Sequence, residues 1–315
     1  MDALDKKPQL IVICGPTATG KTNLSVKLAK LLRGEVISAD SMQIYKNLNI
    51  GTAKITTAEA GGVPHHLIDI IEPNVSYSVA EYIIQAQNTV EEVHKRGYLP
   101  ILCGGTGLYI SSFINGVSFT KEKIDSHIKQ RLNQELLELG TETMHAKLKN
   151  IDPTYANTLH HNNSTRVLRA LEVFEQTGIR MSDHLLTSIP QEKPYDEIVF
   201  FLNYRDRNLL YTNINKRVEL MLENGILEEA KYVFENRNSF RTASNAIGYK
   251  EFFPYLKGED TLISCVEKLK QATRHYAKRQ ITWFQSMKDT HIIYVDEEDA
   301  FKTCVDTLNH IELIY

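Results

Sequence analysis

Unbroken apolar runs alternate with helical stripes through the first third of the chain. Leu10-Ile11-Val12-Ile13-Cys14 is such a run, and Leu24, Leu28, Leu31 and Leu32 follow it at helical spacing. Glu35-Val36-Ile37-Ser38-Ala39, the stretch from His65 to Ile71, and Leu99-Pro100-Ile101-Leu102-Cys103 read as further strands. Before the last of these, Ser78-Val79-Ala80-Glu81 forms a capping box. It opens a helix with Val79, Ile83, Ala86, Val90 and Val93 on one face, stopped by Gly97. Short apolar strands separated by helices predict a parallel sheet with right-handed crossovers.

The alternation stops near Thr120, and from Lys121 to about Pro194 every signal is helical. Ile128, Leu132, Leu136 and Leu139 form a stripe closed by Gly140. Asp152-Pro153 is an N-cap followed by proline at the first helical position. Ser164 to Thr177 turns Val167, Leu168, Leu171 and Phe174 inward and stops at Gly178. Strand pattern returns at Glu197–Leu202. Asp206 then caps a long helix that carries Arg217, and a second helix runs from Ile226 to Asn236. A basic helix from about Thr261 to Met287 gathers Lys268, Lys270, Arg274, His275, Lys278 and Arg279, with Tyr276, Trp283 and Phe284 among them. His291–Val295 is the last strand.

Chemistry enters at the ends of these strands. The first runs into Gly15-Pro16-Thr17-Ala18-Thr19-Gly20-Lys21-Thr22, which fits G-x-x-x-x-G-K-[ST] without a gap. Such a loop curls its N–H groups around phosphate, Lys21 adds a charge, and Thr22 offers a hydroxyl to Mg²⁺. The fold class expected is therefore α/β: a P-loop NTPase-like parallel sheet flanked by helices. Residues 1–120 and 195–315 would form the core and 121–194 an all-helical insertion. Asp40 stands where a second strand ends, on the side of the sheet where ligands bind. It can serve as a base, a magnesium partner or a cap. A second glycine-rich turn, Gly104-Gly105-Thr106-Gly107-Leu108-Tyr109, follows the strand ending at Cys103. P-loop hydrolases hold magnesium through an acid after an apolar strand. Leu67-Ile68-Asp69 is a poor version of that pattern, and Cys103 leads into glycines instead. That favours group transfer with departing pyrophosphate, or a small-molecule kinase, over a motor or switch.

Bulk numbers narrow the field further. In 315 residues the net charge is −3, so a nucleic-acid partner must be met by local basic patches such as the late helix. Cys14, Cys103, Cys265 and Cys304 make no C-x-x-C, which points to reduced thiols. His65-His66 has no third ligand nearby and reads as structural. Met1–Pro8 is charged and no apolar run approaches a membrane span, so neither a signal peptide nor a membrane anchor is expected.

Six segments in order carry a family resemblance: the phosphate loop, Ile37–Tyr45, Ile50-Gly51-Thr52-Ala53-Lys54, Gly104–Tyr109, Arg169-Ala170-Leu171-Glu172-Val173 and Lys278-Arg279-Gln280-Ile281-Thr282-Trp283-Phe284. Together they resemble the tRNA dimethylallyltransferases (tRNA isopentenyltransferases). The resemblance implies transfer of a dimethylallyl group from its diphosphate to the exocyclic amine of the adenine 3′ of the anticodon. It implies Asp40 and Thr106 as catalytic residues. Gly15, Pro16, Thr17, Ala18, Thr19, Gly20, Lys21, Thr22 and Arg217 would hold the diphosphate, with Mg²⁺ at Thr22. It implies contacts to the tRNA anticodon stem-loop at Asp40, Ser41, Met42, Gln43 and Thr106, and in the insertion at Lys129, Asn162, Asn163, Ser164, Thr165 and Arg166. Further contacts are implied at Asn245, Gly248, Tyr249, Lys250, Lys278, Arg279, Gln280, Trp283 and Phe284. The segment His161–Arg166 lacks the Pro and Asp that relatives often carry before the arginine. The chain ends without the zinc-finger extension of some eukaryotic relatives, which suits a bacterial-type enzyme; a cytoplasmic monomer is expected. The competing expectations are a P-loop small-molecule kinase with a helical lid and a nucleotide-switched RNA-binding module. The segments after Asp40 and around Thr106 do not suit the kinase, and no base-specificity motif supports the switch.

Overall fold

Six strands form one all-parallel sheet: β1 Gln9–Cys14, β2 Gly34–Ser38, β3 His65–His66, β4 Leu99–Gly104, β5 Asp196–Asn203 and β6 Thr290–Tyr294, in the order β3-β2-β4-β1-β5-β6. The structure is a computed structural model and describes residues 7–118, 125–188, 190 and 192–310. The expected boundary at residues 120 and 121 and the first six residues of the expected N-terminal segment lie outside that set. The chain folds as two compact units, Met1–Ile114 with Pro194–Tyr315, and Asn115–Lys193.

In the first unit β1 and β4 are buried almost end to end. Helices cover both faces of a parallel sheet, so its strands can be apolar without interruption. Helix α1 (Lys21–Leu32) leaves the phosphate loop and packs Leu24, Val26 and Leu28 on the sheet with Ile11, Ile13 and Ile101. After α2 (Thr57–Ala60) comes α3 (Val79–Lys95), whose capping box closes in both directions: Ser78 Oγ accepts from Glu81 N–H and Glu81 accepts from Ser78 N–H. Helix α4 (Gly107–Ile114) follows β4.

One expected strand is cut short. Only His65 and His66 pair with β2, because Leu67 (φ 59°) and Asp69 (φ 56°) turn left-handed and break the extended run. The turn brings Asp69 to the Lys54 ammonium. His66 Nε2 donates to the Glu35 carboxylate, 2.6 Å away.

The second unit is helical: α5 (Ser126–Ile151), α6 (Pro153–Ala156), α7 (Ser164–Thr177) and α8 (Met181–Ser188). Asp152 caps α6 ahead of Pro153, accepting from Tyr155 N–H. Gly140 closes the first helical stretch of α5 as expected: its backbone is non-helical (φ 78°, ψ 171°), and a second stretch beyond this kink buries Met144 and Leu148. Leu139, beside the kink, is 52% exposed and does not continue the buried stripe. Phe174 is only half-buried.

Back in the first unit, α9 (Arg207–Glu223) is capped by Asp206 and carries Arg217, and α10 (Ile226–Glu235) follows. Then come α11 (Phe253–Leu256), the long α12 (Leu262–Gln285) and α13 (Ala300–His310). A second core joins Ile44, Tyr45 and Leu48 to Val218, Tyr249, Phe252 and Leu269. All four cysteines are buried free thiols. Among the described residues no helix is long and apolar enough to cross a membrane.

Candidate active site

A cavity of about 390 Å³ opens at the carboxyl ends of β1, β2 and β4. Its floor is the phosphate loop. Gly15 sits at φ 146°, and a Cβ there would lie 2.3 Å from the Leu202 carbonyl oxygen. Gly20 (φ 80°) makes no side-chain cap, so the first N–H groups of α1 face an anion site rather than a side-chain oxygen. Lys21 Nζ donates to Pro16 O at 2.7 Å, and Thr19 Oγ1 donates to the same oxygen at 2.9 Å. Burial pulls the Lys21 ammonium down to about 8, and nearby Arg217 pushes in the same direction. Arg217 itself is held below its ordinary value by burial, against the opposing pull of Asp40. Lys21, Thr22, Arg217 and Asp40 all line this one cavity.

Asp40 follows β2. Its Oδ1 accepts from the N–H of Met42 at 2.8 Å and of Gln43 at 3.4 Å, which makes it a turn cap. Its other oxygen carries no hydrogen bond among the described residues, so the same carboxylate can also take a proton. Gln43 is tied at both ends, accepting from Ser38 Oγ and donating to the Thr52 and Ala53 carbonyls. Thr106 does not cap its own helix. Its Oγ1 accepts from Ser41 N–H at 3.0 Å, and its N–H donates to Ala39 O. It stands behind Ser41, which lines the cavity, while Thr106 itself does not. Tyr276 from α12 lies beside Thr106 and Gln280, its phenol pushed up by burial.

The expected tRNA residues separate into groups. Asp40, Ser41, Met42, Gln43, Asn245, Gly248, Lys250 and Arg279 line the cavity. Lys278 is exposed on α12. Lys129, Asn162, Thr165 and Arg166 are exposed on the helical unit, with Asn163 and Ser164 half-buried at the start of α7. Two expectations are corrected. Phe284 is fully buried against Phe201, so it belongs to the core. Tyr249 is fully buried and donates to Glu229. Gln280, 6% exposed, also lines the cavity while its amide is bonded to both glycine-rich turns. Trp283 is half-buried over Gly107, where a Cβ would lie 2.5 Å from the indole.

Sequence reasoning missed Glu229. Its carboxylate accepts from the N–H groups of Asn49, Ile50 and Gly51 and from the Tyr249 hydroxyl. It thereby fixes two walls of the cavity, the 49–53 loop and the 245–250 joint. An acid in the first turn of a helix is too common to have signalled this. His65 also lines the cavity, with Nδ1 on the Val63 carbonyl and Nε2 unpartnered.

A parallel sheet with a phosphate loop, two partly buried cations and a carboxylate around one cavity defines an enzyme of the P-loop fold. Residues 43–287 match the family model described as IPP transferase. The tRNA dimethylallyltransferase of Caldanaerobacter subterraneus subsp. tengcongensis is 45% identical over 296 residues, 93% of this chain and 94% of that protein. That of Bacillus subtilis is 46% identical over 280 residues, 89% and 88% of the two chains. The crystal structure of tRNA isopentenylpyrophosphate transferase from Bacillus halodurans superimposes with a TM-score of 0.71 at 41% identity, covering 97% of this chain and 96% of that one. A eukaryotic dimethylallyltransferase acting on tRNA superimposes at 0.83 with 29% identity, over 96% of this chain and 79% of that one. The chain belongs to the IPP transferase family of tRNA dimethylallyltransferases.

Proposed function

We propose that this enzyme transfers the dimethylallyl group of dimethylallyl diphosphate to the exocyclic N6 of adenosine 37, 3′ of the tRNA anticodon, releasing diphosphate. The observation that carries this reading is the placement of the Asp40 carboxylate and the Lys21–Arg217 cation pair around one cavity. The adenine amine is a weak nucleophile because its lone pair is delocalised. As its nitrogen bonds to the first allylic carbon, the carbon–oxygen bond to diphosphate breaks and the amine proton passes to Asp40. Loop N–H groups, Lys21 and Arg217 take up the charge that grows on the leaving diphosphate. Val218, Met221 and Leu269 line the same cavity and suit the five-carbon chain. To arrive there the adenine must leave its stack.

Magnesium fits the donor set. Among the described residues no three acidic, histidine or cysteine side chains gather as a metal cage. The Thr22 hydroxyl lines the cavity without a hydrogen bond there, and Mg²⁺ is commonly held by few protein oxygens plus phosphates. Bound through Thr22, it would screen the charge of the diphosphate. The helical unit would grip the anticodon arm with Lys129, Asn162, Thr165 and Arg166, and Lys278 and Arg279 would meet its phosphates. We place the enzyme in the cytoplasm as a monomer, in keeping with its four free thiols. Incubation with unmodified tRNA, dimethylallyl diphosphate and Mg²⁺, followed by nucleoside mass spectrometry, should yield dimethylallyladenosine. Consumption of ATP without prenylated nucleoside would favour a kinase instead.

A further inference from the structure

We infer that Gln280 is a positioning residue for the transfer: its carboxamide ties the phosphate loop to the second glycine-rich turn and fixes the distance between donor and acceptor sides of the cavity. The inference rests on the transferase reading above. Gln280 lies among the apolar buried residues Ala277, Ile281 and Phe284 of α12. Its Oε1 accepts from Thr17 N–H at 3.0 Å, and its Nε2 donates to Gly105 O at 2.8 Å. Thr17 follows β1 and Gly105 follows β4, and these strands are neighbours in the sheet. One buried amide therefore joins the two turns that the strands deliver.

Three separate features converge on this contact. A polar side chain is buried in an apolar helix face. A phosphate-loop N–H, that of Thr17, is given to that side chain. Position 105 is a glycine, where a Cβ would come within 2.3 Å of Nε2. A glutamine that merely filled core space would need neither the loop N–H nor the missing Cβ. The first turn carries Lys21 and Thr22. The second holds Thr106, which fixes Ser41 next to Asp40. With the amide gone, Thr17 N–H and Gly105 O lose their partners and the turns are free to drift. Misplacing reacting groups by about 1 Å can cost on the order of 10²-fold in rate.

The test is single-turnover transfer with enzyme in excess over tRNA at saturating dimethylallyl diphosphate, with steady-state runs at varied tRNA beside it, for wild type, Gln280→Leu and Gln280→Glu. Melting temperature is recorded in parallel. Gln280→Leu should lower the first-order rate constant about 10- to 100-fold, with KM for tRNA moved by less than about twofold. Gln280→Glu supplies the discriminating readout. A protonated carboxyl reproduces the amide, accepting from Thr17 and donating to Gly105, whereas a carboxylate cannot donate. The Glu-to-wild-type rate ratio should therefore climb as pH falls. Lys21, Asp40, Arg217, Tyr276 and Arg279 face the same cavity in both proteins, so their own titrations enter both profiles. If the Leu protein fails to fold, the Glu profile alone decides. Wild-type rates in the Leu variant, or a ratio flat with pH, overturn this inference alone. A wild-type protein that prenylates no tRNA overturns the transferase reading and this inference with it.

Discussion

Two glycine-rich turns leave neighbouring strands, and they are glycine-rich for different reasons. In the turn after β1, Gly15 and Gly20 adopt φ values of 146° and 80° that side chains resist. At Gly20 conformation alone is the requirement, since nothing lies within 4 Å of a Cβ, while Gly15 adds a close approach to the Leu202 carbonyl. In the turn after β4, none of Gly104, Gly105 and Gly107 has positive φ. Close approach is the requirement: a Cβ would meet Ala39 O at 2.2 Å, Gln280 Nε2 at 2.3 Å and Trp283 at 2.5 Å. The first turn is a curl shaped for a ligand, and the second is a surface on which other parts of the protein rest. Chemistry divides along the same line, with diphosphate held by the first and the acceptor side braced by the second through Thr106 and Ser41.

The division can be broken most sharply on the acceptor side. Asp40→Asn keeps an oxygen for the Met42 and Gln43 N–H groups but removes the base. Turnover should fall by roughly 10²-fold or more with KM for dimethylallyl diphosphate little changed; a rate near wild type would return Asp40 to a turn cap. Next in size are the glycines themselves. Gly104→Ala meets a backbone carbonyl that has nowhere to go, and should cost about 3 kcal/mol in a denaturant titration. Gly20→Ala meets only its own left-handed backbone and should cost about 1–2 kcal/mol. Equal losses at the two sites would erase the contrast.

On the donor side, pH reports Lys21. With its pKa pulled down to about 8, the empty enzyme holds an ammonium below that pH and loses it above. Affinity for dimethylallyl diphosphate, measured by calorimetry, should be level on the acid side and fall as pH rises through about 8. Lys21→Arg should remove that inflection. The smallest effect belongs to the basic helix. Lys278→Ala and Arg279→Ala should each flatten the salt dependence of tRNA affinity by about one unit of slope. Unchanged slopes would make that face an ordinary solvated one.

The sequence showed what is local and hid what is distant. The phosphate loop, the Ser78–Glu81 box and the Asp152-Pro153 cap are each written within a few residues, and each folds as its spacing predicts. His65–Ile71 carried strand-like residues, yet the chain turns left-handed at Leu67 and Asp69, and the Lys54 that Asp69 meets there lies fifteen positions away. Gln280 and Glu229 were invisible as scaffolding, because their partners are 263, 175 and 180 positions distant. Phe284 was read with the basic residues of α12, but burial on a helix depends on what packs over each face, and α12 turns that ring toward Phe201.

The Pro16 carbonyl has a further consequence for binding. It accepts from both the Lys21 ammonium and the Thr19 hydroxyl. An ammonium has three N–H groups, so two remain to be offered to a diphosphate. The carbonyl thereby acts as a prop that aims the lysine, and less side-chain ordering is left to be done when the anion arrives.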